Sequence, residues 1–383
     1  MPFDLQTALD ERAREGLFRQ RQILQSGQNR FIKLNDQTYL NFSSNDYLGL
    51  ASQPFLTKAW QEGLERWGAG SGASPLVTGY TQAHADLEQT LAEWLGLEAV
   101  LLFSTGFSAN QAVIKALLQK DHIQYQDRFN HASLQEAGSQ SPGKMQRFRH
   151  NDMVHLESLL QPQSGLIISE GVFSMDGDQA PCQQLADLAA QTSNWLMIDD
   201  AHGLGVLGQQ GQGTLSHQNV SSDRINIRMA TFGKALGTAG AFVGGSRQLI
   251  DYLINFARDY VYSTHMPSAQ AYATTAAIKW VRQADAERAH LQSLISAFRA
   301  GVADLGLNIP ESETAIQPLI IGDAEQAMNI ANRLRTRGLW VSAIRPPTVP
   351  KGTARLRITL TAAHQQADIA LLLNELKECL SHV

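Results

Sequence analysis

The sequence predicts an α/β fold with a large domain on a mostly parallel sheet and a smaller C-terminal α+β domain. Three observations carry this. From about residue 83 to 245, short apolar runs alternate with helical patterns, as in successive βαβ units. Near 280 the pattern changes to long helices and then to a second set of mixed strands and helices. The length of 383 residues also asks for more than one simple core. The expected division is 1–50 for an N-terminal helix and short strands, 51–280 for the large domain and 281–383 for the small one.

The elements follow in order. Residues 4–25 carry an amphipathic, charged pattern expected to be helical. "RFIKLNDQTYLNFSSNDYLGL" reads as two short strands about an Asn-Asp turn, then a loop. Strands are expected at 99–104, 122–127, 145–150, 165–172, 194–200, 225–233 and 240–245. "HADLEQTLAEWLG" and "FSANQAVIKALLQK" are helices among them. Long helix is expected over about 268–305. Then come "AIQPLIIGD", a helix near 324–338, "LWVSAIRPP", "TARLRITLT" and a final helix.

Composition narrows the function. Hydrophobic residues make up 43% and charged residues 17%, a globular composition, and the net charge of −5 argues against nucleic acid as a partner. No apolar run approaches the ~18 residues that span a bilayer, and the N-terminus lacks a signal-peptide pattern. Cys182 and Cys379 are the only cysteines, which rules out a disulfide framework or a zinc ribbon. The expectation is a soluble cytoplasmic protein without membrane contact.

Ligands of open α/β sheets bind at the carboxyl ends of strands. Gly106, His131, Asp199 and Lys234 all fall at or just beyond predicted strand ends. "FSTGFSAN" runs from strand into helix; it is either an ordinary Ser/Thr cap or a phosphate site on the helix N-terminus. "DDAHG" is either a satisfied polar pair or an acid placed under a ring nitrogen. A metal site lacks a third ligand at suitable spacing, so none is expected. Lys234 sits in "TFGKALGTAGA", where small neighbours leave room for a bulky group and desolvation would make the amine nucleophilic. A lysine, an opposing acid and a phosphate site together fit pyridoxal 5'-phosphate (PLP) chemistry.

Here a resemblance adds to the reading. "NFSSNDYLGL", "TGY", "FSTGFSAN", "NHASL", "EGVFSMDGD", "IDDAHGLGVLG", "TFGKALG", "YSTHMP" and "RLRITLTAAH" occur in family order from about 40 to 364. In these the chain resembles the fold-type I PLP enzymes, and within them the α-oxoamine synthases. That family condenses an amino acid with an acyl thioester and releases CO₂. "IRPPTVPKGTARLRITLTAAH" and the N-terminal helix are similar to the member acting in biotin biosynthesis.

The resemblance implies L-alanine and a pimeloyl thioester as substrates, with coenzyme A or acyl carrier protein as carrier. It implies Lys234 as the lysine linked to PLP, Asp199 at the pyridine nitrogen and His202 at the phenolic oxygen. His131 would stack on the ring and also polarise the acyl carbonyl. Gly106, Phe107 and Thr231 would serve the phosphate, with Ser174 in the cofactor shell. A homodimer is implied, with Thr264 near the phosphate of the neighbouring subunit. Asn45 and Arg357 would hold the amino-acid carboxylate, and Arg19, Arg345 and Thr348 the acyl substrate. The chain departs from the family at Leu204, where Thr is common, and at Ser74-Pro75, where many members have Ser-Arg. Another α-oxoamine synthase that uses glycine, a non-catalytic PLP-fold partner and a nucleotide-binding module are the competing readings. Lys234 and Asp199 speak against the second, and the missing motif glycines against the third.

Overall fold

The computed structural model describes residues 3–162, 165–307 and 309–380. Strands β1 (Phe31–Leu34) and β2 (Gln37–Asn41) form an antiparallel hairpin turned by Asn35 and Asp36. Both turn residues have positive φ (48° and 60°), which short polar side chains tolerate. Seven strands then build one sheet: β3 (Ala99–Phe103), β4 (Ile123–Asp127), β5 (Lys144–Phe148), β6 (Gly165–Glu170), β7 (Trp195–Asp199), β8 (Ile227–Thr231) and β9 (Ala241–Gly245). Their spatial order is β3-β9-β8-β7-β6-β4-β5. From β8 to β5 all pairings are parallel, and β9 is antiparallel to both β8 and β3. Every strand expected in this region is present, most of them shorter at the ends than the sequence pattern.

Residues after 315 add β10 (Ile316–Gly322), β11 (Leu339–Trp340), β12 (Ser342–Ile344) and β13 (Ala354–Thr359). β10, β13 and β12 form an antiparallel sheet, while β11 joins β2 in parallel. "LWVSAIRPP" thus contributes to two sheets, not to one strand. The Thr359 amide donates to the Phe42 carbonyl at 2.8 Å, which laces the segment after β2 to the C-terminal sheet.

Strand alternation distributes the side chains. Leu196 and Ile198 pack with Leu185 and Ala189 of helix Cys182–Thr192. Met197 packs on the opposite face with Ala109 and Val113 of helix Gly106–Leu117. A further core joins helices Pro54–Trp67, Gln82–Leu95 and Ser268–Val281 to the C-terminal strands and helices.

Two helix expectations need correction. The first helix covers only Leu5–Arg14. Gly16 (φ 67°) donates its amide to Ala13, and Leu17 donates to Arg12, the two bonds of a Schellman stop. Residues 15–25, Arg19 among them, therefore lie outside the helix. The 268–305 stretch is two helices, Ser268–Val281 and Asp285–Asp304. Among the described residues no helix is long and apolar enough to cross a membrane.

Candidate active site

The carboxyl ends of β6, β7 and β8 bring Glu170, Asp199 and Thr231 side by side, with Glu170 in register with Asp199. Just beyond β8 a tight turn presents Lys234. The Gly237 amide donates to the Lys234 carbonyl at 2.9 Å, and Phe232 and Gly240 close the base at 2.8 Å. Gly237 has φ 66° and lies against Leu50, so that a Cβ there would fall 2.6 Å from Leu50 Cβ. Burial lowers the Lys234 pKa to about 8, against the opposing charges of Asp199 and Glu170, while Arg357 lowers it further.

From Lys234 a line of polar contacts runs inward. Nζ lies 3.0 Å from His202 Nε2, and His202 Nδ1 lies 2.6 Å from Tyr47 Oη. The Tyr47 hydroxyl also reaches Asn45 Oδ1 at 3.3 Å. Arg357 Nη1 and Nη2 donate to the same oxygen at 3.2 and 3.3 Å. Burial holds the His202 pKa well below the ordinary histidine range, and Lys234, Arg357 and His131 push the same way. On β13 the odd-numbered residues face inward together. Arg357 Nε donates to the Ser174 carbonyl at 2.6 Å, and Arg355 pairs with Asp176. Three of the five N–H donors of Arg357 make these contacts and the guanidinium also bonds the Tyr47 side chain, which leaves at most two N–H groups for a substrate carboxylate.

A second line orients Asp199 and His131. Asn110 Nδ2 donates to Asp199 Oδ2 at 3.0 Å and to Ser133 Oγ at 2.9 Å. Ser133 Oγ lies 2.8 Å from His131 Nδ1, and the Ser133 amide donates to the same nitrogen at 3.2 Å. Nδ1 is therefore the acceptor, which leaves the ring proton on Nε2. Partial burial lowers the His131 pKa; Asp199 opposes this and Lys234 adds to it. Asp200 has a different task. It faces the other side of the sheet, wholly buried, with Arg228 Nη2 at 2.9 Å and Thr214 Oγ1 at 2.6 Å.

The expected phosphate residues gather at the start of helix Gly106–Leu117. The first-turn amides of Gly106 and Phe107 have no intrahelical acceptor. Thr231 Oγ1 is buried without a hydrogen-bond partner beside them. A Cβ on Gly106 would lie 2.6 Å from Thr231 Cγ2, so only glycine fits. The carbonyl of Thr264 accepts from Ser104 Oγ at 3.3 Å next to this corner, and its side chain is exposed. The Ser174 amide donates to Glu170 Oε2 at 3.3 Å.

Arg19, Arg345 and Thr348 stand apart from this centre. Arg345 Nη1 donates to the Gly16 carbonyl, and the Thr348 amide donates to the Arg345 carbonyl at 3.0 Å. Arg19 is exposed and makes no hydrogen bond or ion pair to another described residue. Among the described residues no group of three or more His, Cys, Asp or Glu could hold a metal ion.

Sequence reasoning missed Glu170, Tyr47, Asn110 and Ser133, although each lies within or next to a motif stretch quoted above. Glu170 is 2% exposed. Burial drives its pKa well above the carboxylate range and Asp199 adds to this, while Lys234 opposes. The signal in the sequence is a charged residue closing an apolar strand, the same pattern that marks Asp199.

Residues 37–376 match the family described as "Aminotransferase class I and II". The chain is 62% identical to 8-amino-7-oxononanoate synthase of Aeromonas salmonicida (strain A449), over 99% of this chain and 95% of that protein. It is 50% identical to 8-amino-7-oxononanoate synthase of Enterobacter sp. (strain 638), over 97% of each. Among solved structures, a serine palmitoyltransferase variant from S. paucimobilis with bound PLP superimposes with a TM-score of 0.93. The identity is 27%, covering 100% of this chain and 98% of that one. The 8-amino-7-oxononanoate synthase of Francisella tularensis gives 0.80 at 28% identity, covering 90% and 98%.

Proposed function

We propose the following for a chain that belongs to the aminotransferase class I and II family. It is a PLP-dependent acyltransferase of the α-oxoamine synthase type. It condenses L-alanine with a pimeloyl thioester to give 8-amino-7-oxononanoate, CO₂ and the free thiol carrier, in biotin biosynthesis. One observation carries the choice of reaction. Identity of 62% to a protein of that name extends over 99% of the chain, so it spans the Lys234 centre and the acyl candidates alike.

The residues present fit the cofactor. The partnerless Thr231 hydroxyl, the free first-turn amides and the glycine-only corner at Gly106 suit a phosphate. Asp199, held by Asn110 and by the Ala201 amide at 3.1 Å, suits a protonated ring nitrogen. When bound, PLP supplies an electron sink for the charge left at the amino-acid α-carbon. The chain's own groups do the rest. Arg357 and Asn45 hold the alanine carboxylate and so fix which bond at the α-carbon faces Lys234. A lysine with a pKa of about 8 is partly a free amine near neutral pH, and its Nζ takes the α-proton. His131, with its Nε2–H directed outward from the Ser133 anchor, donates to the acyl carbonyl oxygen as charge develops there. Arg19, Arg345 and Thr348 bind the far end of the acyl chain. The active form is a cytoplasmic homodimer in which Thr264 approaches the partner subunit's phosphate site, and either coenzyme A or acyl carrier protein delivers the acyl group.

The test is product identification. Purified protein is given PLP, alanine or glycine, and a panel of acyl thioesters, and the products are weighed by mass spectrometry. Alanine with pimeloyl thioester should be the fastest pair. A faster glycine pair with a succinyl or acetyl thioester would move the chain to another member of the synthase group.

A further inference from the structure

Tyr47 has no assigned task, yet it touches both halves of the substrate site. It is 1% exposed, and burial pushes its pKa to about 12, so it stays a phenol with one proton to place. Its oxygen meets His202 Nδ1 at 2.6 Å and Asn45 Oδ1 at 3.3 Å, and the Arg357 guanidinium lies against it as well. His202 in turn has one neighbour at each ring nitrogen, Tyr47 at Nδ1 and Lys234 at Nε2. A neutral imidazole donates at one nitrogen and accepts at the other.

These valences permit two arrangements. An ammonium at Lys234 has only donors, so Nε2 of His202 must accept. The ring proton then sits on Nδ1 and is donated to Tyr47 Oη, and the Tyr47 hydroxyl turns to Asn45 Oδ1. A neutral amine at Lys234 offers a lone pair, which can accept from Nε2–H. Nδ1 is then the acceptor, and the Tyr47 hydroxyl turns to it. Asn45 keeps its two contacts from Arg357 in both states.

We propose that Tyr47 is a positioning residue whose hydroxyl turns between Asn45 and His202, so that the tautomer of His202 follows the protonation of Lys234. His202 then presents its Nε2–H to the site only when Lys234 is a free amine able to take a substrate proton. The same turn adds or removes one hydrogen bond at the oxygen of Asn45, the residue assigned to the amino-acid carboxylate. The charged and titratable groups facing Lys234 besides His202 are Asp199, Glu170, Arg357 and His131. Of these only Arg357 also bonds the Tyr47 side chain; as a pure donor it occupies an oxygen lone pair in both arrangements and leaves the hydroxyl proton free to turn. The proposal rests on Lys234 and His202 serving the proposed reaction.

The experiment uses cofactor-free protein labelled with ¹⁵N-histidine, with the His202 signal identified by its loss in His202→Gln. Spectra are taken at pH values on either side of 8, where Lys234 titrates. The natural protein should pass from the Nδ1–H to the Nε2–H tautomer as pH rises. Tyr47→Phe leaves Nδ1–H without an acceptor in the ammonium state, so the change should move to a different pH or be lost. A single unchanging tautomer in the natural protein overturns the proposal, and so does an identical switch in Tyr47→Phe. In the loaded enzyme, Tyr47→Phe should lower kcat about tenfold and move its basic pH limb, with the KM for alanine within about twofold. An unmoved pH limb also overturns it. The first readout needs neither PLP nor substrate, so a wrong reaction assignment would leave it intact and be told apart.

Discussion

The Lys234 centre and the Arg19–Arg345–Thr348 edge are built in opposite ways. At the centre each polar side chain is held by the next, from Arg357 through Asn45, Tyr47 and His202 to Lys234, and from Asp199 through Asn110 and Ser133 to His131. At the edge a single side-chain contact among the described residues, Arg345 to the Gly16 carbonyl, ties the N-terminal segment to the Thr348 loop. Burial accounts for the contrast. A buried polar group without a partner costs about 1–3 kcal/mol, so the centre is densely wired, and the Thr231 hydroxyl left over is one a ligand would satisfy. An exposed arginine is satisfied by water and needs no fixed partner until substrate arrives. The centre is thus preorganised for bond making, and the edge selects a ligand that itself completes the contacts.

The largest effect should come from cutting the centre at its nucleophile. Lys234→Ala removes both the covalent anchor and the base. Turnover should fall by at least about 10⁴-fold, and borohydride should no longer fix PLP to the protein. Mass spectrometry of the reduced protein checks this, and a PLP adduct persisting in Lys234→Ala would reassign the lysine.

The two neighbouring acids separate chemistry from architecture next. Asp199→Asn should slow exchange of the alanine α-proton with solvent by about a hundredfold or more, with little loss of fold. Asp200→Asn leaves Arg228 buried at 3% exposure without its charge partner and should destabilise the protein by about 3–5 kcal/mol. Proton exchange by NMR and thermal melting of both variants decide it. A larger exchange defect in Asp200→Asn would reverse the roles.

The His150 clamp, away from both regions, carries its own pH signature. His150 is clamped between Asp127 Oδ1 at 3.0 Å and Asp178 Oδ2 at 2.7 Å, with Phe129 and Phe173 rings against it. Burial disfavours the charged ring, yet the hydrogen bonds and charges of Asp127 and Asp178 prevail and raise its pKa to about 9. A folded pKa above the unfolded value means the stabilisation is complete below about pH 6.5 and fades as pH rises through 9. Its upper size is about 3 kcal/mol, from the difference between those two values. Denaturant melts from pH 7 to 10 should show this loss, and His150→Gln should flatten it. An equal slope in both proteins would remove His150 as the cause.

Much of this was legible from the chain, for reasons that differ by region. The parallel sheet showed because its strands are buried on both faces and read as continuous apolar runs. Lys234, His202 and Asp199 stood out because charged groups closing such runs demand an explanation. Asn110, Ser133 and Tyr47 did not, since polar residues inside a helix or loop have many uses and only the tertiary contacts select one. Which of Asp199 and Asp200 faces the site is implied by the resemblance alone; in the structure Asp199 lies, like Met197, on the side of helix Gly106–Leu117, where Asn110 holds it. The first helix was overextended because its charge pattern runs past the Schellman stop at Gly16, a signal that was present in the sequence. The N-terminal hairpin's partnership with β11 lies some 300 residues along the chain and leaves no local trace.

The smallest expected effect lies at the exposed edge, and it tests the comparison most directly. If the edge only completes its contacts when the acyl chain binds, removing one arm should weaken that substrate and nothing else. Arg19→Ala should raise the KM for pimeloyl thioester about three- to tenfold, equivalent to about 1 kcal/mol, as expected for one screened, solvent-facing charge contact. The binding of alanine, read from the change in the PLP spectrum, should stay as in the natural protein, because no contact joins Arg19 to the Asn45–Arg357 line. Arg345→Ala should do the same and also loosen the N-terminal segment held at Gly16, which limited proteolysis near residue 16 would report. A fall in kcat with unchanged KM in Arg19→Ala would show that the edge acts on the chemistry after all. The two regions would then be one preorganised site, and the contrast drawn from burial would fail.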